Sequence, residues 1–157
     1  MKKEITEKIA LQKITKVCAT KEYCIAEVKD KLGNWGLTNE ETERILEFLL
    51  KEKFVDESRY CDAFIHDKLH YNKWGRLKIS HFLFQKRIPS NMIDSHLNKI
   101  NLDTYKSILI SLLRSKKKNI KASDDFELKN KLFRFGLSRG FESELIQECL
   151  THLNKND

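Results

Sequence analysis

The feature that most constrains this chain is a pattern of apolar positions that recurs three times. Leu37, Ile88 and Phe141 stand 51 and 53 residues apart, and Thr42, Ile93 and Ile146 keep those separations, as do Leu46, Leu97 and Leu150. A period near fifty residues is the mark of tandem structural units that stack on one another. Within each period the apolar residues follow helical spacing, and no stretch alternates as a half-buried strand would. The expected fold is therefore all-α: three tandem three-helix repeats, residues 1–54, 55–101 and 102–157, packed into an elongated, curved array. The pattern leaves the hand of that array open between right and left. Leu37, Ile88 and Phe141 each open the last helix of a set.

Nine helices follow from the periodicity and its punctuation. The first is expected over Glu4–Thr20, the second over Glu22–Leu32 and the third over Thr38–Lys53. Gly33-Asn34-Trp35-Gly36 ends the second, because glycine relieves the left-handed strain beyond a helix. Thr38 and Glu41 form a capping box for the third. Asp56 caps the fourth, and Glu57 suits the positive end of its dipole. Trp74-Gly75 leads into the fifth, and Pro89 opens the sixth, where a missing N–H is harmless. The seventh is expected after Asp103, the eighth after Ser123, and the ninth around Leu145–Leu153. All five glycines and the one proline are expected at joints. Helices of three to four turns are marginal alone, so packing must hold them.

Composition narrows the function. With 34% charged residues, the chain has no apolar run near the ~20 residues of a membrane span. The start, Met1-Lys2-Lys3-Glu4, is basic, but Glu7, Lys8, Lys13 and Lys16 break up the apolar positions behind it, so no secretory signal is expected. Cys18, Cys24, Cys61 and Cys149 form no C-x-x-C pair and occupy apolar helix faces. They read as reduced, buried thiols of a cytoplasmic protein. His66 and His70 have chelating i, i+4 spacing but no third ligand, so a solvated helix face and no metal are expected. Glu40, Glu41, Glu43 and Glu47 look like one solvated face. No phosphate loop, nucleophile elbow or nucleophile–base arrangement is present, so neither catalysis nor a cofactor is expected.

The remaining signal is charge. The net charge is +7, yet residues 1–57 hold 11 Lys+Arg against 12 Asp+Glu, whereas residues 58–100 hold 8 against 3. Such asymmetry points to an acidic partner, nucleic acid or an assembly containing it. Lys73-Trp74-Gly75-Arg76-Leu77-Lys78 sets an aromatic among three cations at a helix start. Trp74 is expected to pack the joint between helices, whatever else it touches. Lys116-Lys117-Lys118, with Lys121 nearby, exceeds what a helix C-terminal dipole needs. Stacked repeats can bring both clusters onto one concave face.

Asp56-Glu57-Ser58-Arg59-Tyr60-Cys61-Asp62-Ala63-Phe64 resembles the D-x-x-R-[FY]-A-x-A-F motif of the bacterial RecX regulatory proteins. Lys73-Trp74-Gly75-Arg76-Leu77-Lys78-Ile79 is similar to that family's K-W-G-P-x-K-I, and Arg139-Gly140-Phe141 with Leu145-Ile146 resembles its third-repeat R-G-F-x-x-x-x-I. The resemblance implies a cytoplasmic, monomeric negative regulator that binds the RecA–DNA filament and limits its recombinase, ATPase and repressor-cleavage activities. It thereby implies a place in homologous recombination, DNA repair and the SOS response. Charge and motif together make Arg59, Lys73, Trp74, Arg76, Lys78, Lys116, Lys117 and Lys118 the candidate contact residues, with weak direct DNA contact as an accompaniment; the resemblance implies no catalytic residues, and no membrane role is expected. Arg76 departs from the family pattern, which has proline there, and Cys61 replaces an alanine. The residues themselves also admit a direct DNA-binding protein of helix-turn-helix type, or a repeat scaffold for another protein.

Overall fold

The computed structural model describes residues 5–156. The basic opening Met1–Glu4, and with it the expected helix start at Glu4, lies outside the described residues. The described residues form nine α-helices and no strand: α1 Glu7–Thr20, α2 Ile25–Asn34, α3 Asn39–Lys51, α4 Glu57–His70, α5 Arg76–Gln85, α6 Ser90–Leu97, α7 Leu102–Lys117, α8 Asp125–Ser138 and α9 Ser143–Asn156. They pack in consecutive threes, α1–α3, α4–α6 and α7–α9. The accessible surface of 9862 Å² exceeds the roughly 8200 Å² of a compact monomer of this size, as an extended repeat array should.

The repeat is written in the backbone as well as in the side chains. In each unit the second helix ends in the same six-residue closure: Leu37 N–H donates to Leu32 O, Ile88 N–H to Leu83 O and Phe141 N–H to Gly136 O. Gly36, Arg87 and Gly140 hold the left-handed conformation just before those donors, with φ of 85°, 61° and 90°. Each closure delivers a buried apolar residue into the core at the start of the third helix. All nine residues of the three recurring columns are buried, Thr42 included. Arg87 takes, with a side chain, a conformation that costs L residues about 1–2 kcal/mol relative to glycine.

The caps are as the residues dictate. Asp56 accepts from Arg59 N–H at 3.0 Å, and Thr38 and Glu41 close their capping box. Asn101 caps α7 and Asp124 caps α8, so α7 starts two residues before the expected Asp103–Thr104 boundary. Pro89 precedes α6 as its N-cap. Four expectations need correction. Glu41 is not on a solvated face: its carboxylate is turned onto Thr38 N–H and the residue is buried. Cys24 is the N-cap of α2 rather than a helix-face residue, because α2 starts at Ile25 and not at Glu22. Gly33 and Gly136 lie inside α2 and α8. At Gly136 a Cβ would meet Ile146 Cδ1 at 2.8 Å, so the missing side chain lets α9 close onto α8.

The buried side chains form two clusters. One gathers the first unit's side chains around Ile14, Leu32, Ile45 and Leu49, together with Val55 just beyond α3. The other runs without interruption through the second and third units, from Cys61 and Leu83 to Tyr105, Phe141 and Ile146, and takes in Cys24 at the edge of the first. At about 1.5–3 kcal/mol per fully buried large side chain, this shared core fuses units two and three.

Candidate functional site

At the start of the second helix of units one and two, the next unit takes up a backbone N–H that the helix itself leaves unfilled. At α2, Ile25 N–H donates to the Glu57 carboxylate at 3.0 Å. At α5, Arg76 N–H donates to the Tyr105 hydroxyl at 2.8 Å and Leu77 N–H to Gly140 O at 2.9 Å. Helix N-termini leave their first N–H groups without intrahelical partners. Here those groups become the mortises of the array. Glu57 therefore serves α2 as well as its own helix dipole, and burial raises its carboxyl above the ordinary range.

The α5 joint fixes the candidate site. Gly75 N–H donates to Arg139 O at 2.7 Å, and the Arg139 guanidinium donates to Asn72 O at 3.0 Å. The turn that follows α8 thus lies along the turn that precedes α5. On one side of this contact, Trp74 packs on Phe82 with ring centroids 4.8 Å apart. The Lys68 and Lys78 ammonium groups sit over the indole at 4.9 and 4.6 Å. Lys68 also lies 5.5 Å from the Phe64 ring. On the other side, Lys116 and Arg139 approach the Phe135 ring at 4.9 and 5.1 Å. Each such contact is worth about 0.5–1 kcal/mol at an exposed site. They form two runs of cations and aromatics, Phe64–Lys68–Trp74–Lys78 and Arg139–Phe135–Lys116, which the contacts of Arg139 with Asn72 and Gly75 bring together. Lys68, Lys78 and Lys116 have no carboxylate partner among the described residues.

The other expected contact residues are engaged differently. Arg76 is a clamp: its guanidinium lies 4.2 Å from the Tyr105 ring centroid and pairs with Glu142 at 2.7 Å. The Tyr105 hydroxyl donates to the second oxygen of the same carboxylate. Burial and that carboxylate push the phenol well above its usual range, so it stays a donor. The Arg76 charge is thereby spent inside the molecule. Arg59 pairs with Glu22 at 3.2 Å and donates to Lys53 O at 2.8 Å, tying the first unit to the second. Lys73, at φ 57°, donates to His70 O at 2.6 Å and closes the end of α4. Lys116 and Lys118 are exposed at the end of α7, and Lys117 is half-buried.

Elsewhere the chemistry is structural. The Cys24, Cys61 and Cys149 thiols are pushed up to about 11, chiefly by burial, which keeps them protonated. The His66 and His70 rings are 4.5 Å apart, and among the described residues no three His, Cys, Asp or Glu side chains gather as a metal site. Burial, His66 and Lys73 together lower the His70 pKa. Ser58 Oγ, His96 and Asp62 stand in the order of a nucleophile relay, at 3.0 and 2.6 Å. The burial is inverted, however: His96 is enclosed while Ser58 and the Asp62 carboxylate face water. The arrangement pins α6 to α4.

Lys68, Phe135 and Arg139 were not identified as site residues from the sequence. Arg139 was visible only as part of a motif. Lys68 and Phe135 carried no signal, since each joins the strip through a residue on another element.

Stacked three-helix units joined through borrowed caps define an all-α tandem-repeat protein. Two family models match the chain: "RecX, third three-helix domain" over residues 103–150 and "RecX, second three-helix domain" over residues 56–97. The chain belongs to the RecX regulatory protein family. It is 35% identical over 133 residues to the regulatory protein RecX of Clostridium tetani, covering 83% of this chain and 61% of that one. With the regulatory protein RecX of Clostridium botulinum it shares 32% over 126 residues, covering 79% and 58%. It thus spans about three fifths of the length of these curated relatives. The crystal structure of RecX from Lactobacillus salivarius superposes with a TM-score of 0.86 at 16% identity, covering 94% of this chain and 96% of that one. A second crystal structure, of regulatory protein RecX, gives 0.82 at 17%, covering 90% and 70%. At such identities the likeness shows the fold. Among the described residues no helix is long and apolar enough to cross a membrane.

Proposed function

We propose that this protein is a negative modulator of the RecA recombinase that binds the RecA–DNA filament, and that the cation–aromatic strip is its contact surface. Family membership supports the partner. The observation that carries the surface is the docking of Arg139 on residues 72–75, which joins the Trp74 and Lys116 clusters into one strip. Ammonium groups held over aromatic faces, with no carboxylate partner among the described residues, suit a polyanionic partner. On this reading Lys68, Trp74, Lys78, Phe135 and Lys116 meet the filament, with the exposed Lys118 beside them; Arg76 is spent on Glu142 and Arg59 on Glu22.

The test is suppression of RecA's DNA-dependent ATPase at protein concentrations that leave bare DNA uncoated. Replacing Lys116, Lys117 and Lys118 by Glu is expected to weaken suppression without changing the helical circular-dichroism signal. If the strip meets phosphates, each lost contact lowers the salt slope of binding by roughly 0.7–0.9. Undiminished suppression at low salt, where charges are least screened, would remove the lysine run from the interface. Suppression only after the DNA is saturated would favour a direct DNA-binding protein.

A further inference from the structure

The two joints of the array are held by different chemistry. Units two and three share one core, and two backbone hydrogen bonds cross between them, Gly75 N–H to Arg139 O and Leu77 N–H to Gly140 O. Units one and two share little apolar packing. Among the described residues only Cys24 and Ala26 of the first unit reach the second core, and the rest of that unit's buried side chains form their own cluster. No backbone–backbone hydrogen bond crosses this first joint among the described residues.

What crosses it is polar and runs through side chains. Glu27 is the centre. One carboxylate oxygen accepts from Cys24 N–H in its own unit, and the other takes Lys86 at 3.2 Å and the Tyr60 hydroxyl at 3.3 Å. Ile25 N–H donates to Glu57 at 3.0 Å, and Arg59 joins Glu22 and Lys53 O. The Arg59 and Lys86 side chains are each 42% exposed, so water competes for both ion pairs. A pair this exposed shifts an equilibrium by about five-fold at most. A groove of about 310 Å³ straddles the joint, with Lys21, Glu22 and Glu27 on one side and Tyr60, Phe64 and Lys68 on the other.

The connecting chain is fixed at both ends. Phe54 and Val55 N–H both donate to Leu49 O, and Val55 is buried in the first unit's cluster. Asp56 already belongs to the second unit as the cap of α4. Small polar interfaces leave neighbouring units free to move, whereas large apolar ones hold them. We propose that the Val55–Asp56 boundary is a hinge, on which the first unit swings against a rigid body made of units two and three. In the closed arrangement Glu27 and Arg59 latch the first unit to α4 and to the end of α5. Opening breaks these side-chain bonds, widens the groove and changes the curvature of the array, while both cores stay intact apart from the Cys24 and Ala26 contacts. The groove ends at Phe64 and Lys68, so the hinge sets how the first unit sits beside the cation–aromatic strip. The inference does not rest on the filament-binding reading, since no partner enters it.

The experiment measures amide residual dipolar couplings of the isotope-labelled full chain in a stretched neutral gel. Couplings from α1–α3, α4–α6 and α7–α9 are fitted as three separate bodies. Units two and three are expected to share one alignment tensor, and the first unit to align with smaller amplitude. Raising the salt to about 1 M, where the Debye length falls to about 3 Å, should lower that amplitude further. Arg59→Ala removes one latch and should raise the open-to-closed ratio by up to about five-fold, read as the same further fall. The exchange Glu22→Arg/Arg59→Glu restores the ion pair but not the bond to Lys53 O, and should recover part of the amplitude. One tensor that fits all three units in the parent protein overturns the proposal, as does a third unit that departs from the second. A first-unit amplitude indifferent to both salt and Arg59→Ala would overturn the latch.

Discussion

The joint between the second and third units rests on the absence of one methyl group. A Cβ built on Gly75 would lie 2.5 Å from the carbonyl carbon of Gly140 and 2.5 Å from Phe141 N, and closer still to Gly140 O. These are backbone atoms, so no rotamer change relieves the clash. Ordinary contact begins near 3.4 Å, so the units must separate by about 1 Å. Gly75 has φ −84°, which alanine adopts freely, so Gly75→Ala tests the approach of the two units and not the local backbone. Separation stretches the Gly75–Arg139 and Leu77–Gly140 hydrogen bonds, each worth about 0.5–1.5 kcal/mol net. It also strains the Arg76–Glu142 pair, whose charged bonds are worth about 1.5–3 kcal/mol. The expected loss is about 2–5 kcal/mol in urea unfolding, or about 5–15 °C in melting temperature. Gly33→Ala is the control: nothing lies within 4 Å of its added Cβ, and the helical site should gain up to about 1 kcal/mol. A Gly75→Ala protein that unfolds like its parent would show that the units do not meet backbone to backbone.

Tyr105→Phe leaves Arg76 N–H without its acceptor and one Glu142 oxygen without its donor. It should cost about 1.5–3 kcal/mol by denaturant titration, and an unchanged midpoint would refute the clamp. Trp74→Ala should lower thermal stability by less than the roughly 3–5 kcal/mol of a fully buried aromatic, because the indole is half-buried. An unchanged melt with lost filament binding would make the ring a contact residue only. Glu127 accepts from the Ser123 hydroxyl and N–H and pairs with Lys131, and these interactions hold its carboxyl down to about 2. Its contribution to the start of α8 is thus present above its ordinary pKa of 4.5 and is lost as pH falls toward 2. A carboxyl carbon-13 titration with its midpoint near the ordinary value would refute this.

Short-range chemistry was legible in the sequence because it acts between near neighbours. Thr38, Asp56 and Pro89 mark helix starts by what they offer residues within one turn, and the helical apolar spacing marked the core faces. The fifty-residue recurrence revealed the repeat because each unit solves the same packing problem at its second-to-third helix closure. Reading failed where a residue has two plausible local roles. Glu41 has the spacing of a solvated face and also of a capping box, and only the fold shows that the cap turns its carboxylate inward. Cys24 fits an apolar stripe, but it is the last residue before α2 begins.

The sequence by itself determined an all-α chain, its helices, most of its caps and its threefold recurrence. Only the tertiary structure decided what the cations do. Arg76 and Lys78 are two residues apart, yet one is matched by Glu142, 66 positions away, and the other remains over Trp74 with no carboxylate partner among the described residues. Arg139 reaches Asn72 across 67 positions and so joins the two lysine clusters. Helical periodicity records which face of each helix is apolar but not which neighbour it meets. Docking between units depends on unfilled N–H groups and on two glycines that let backbones touch, and no local pattern links them.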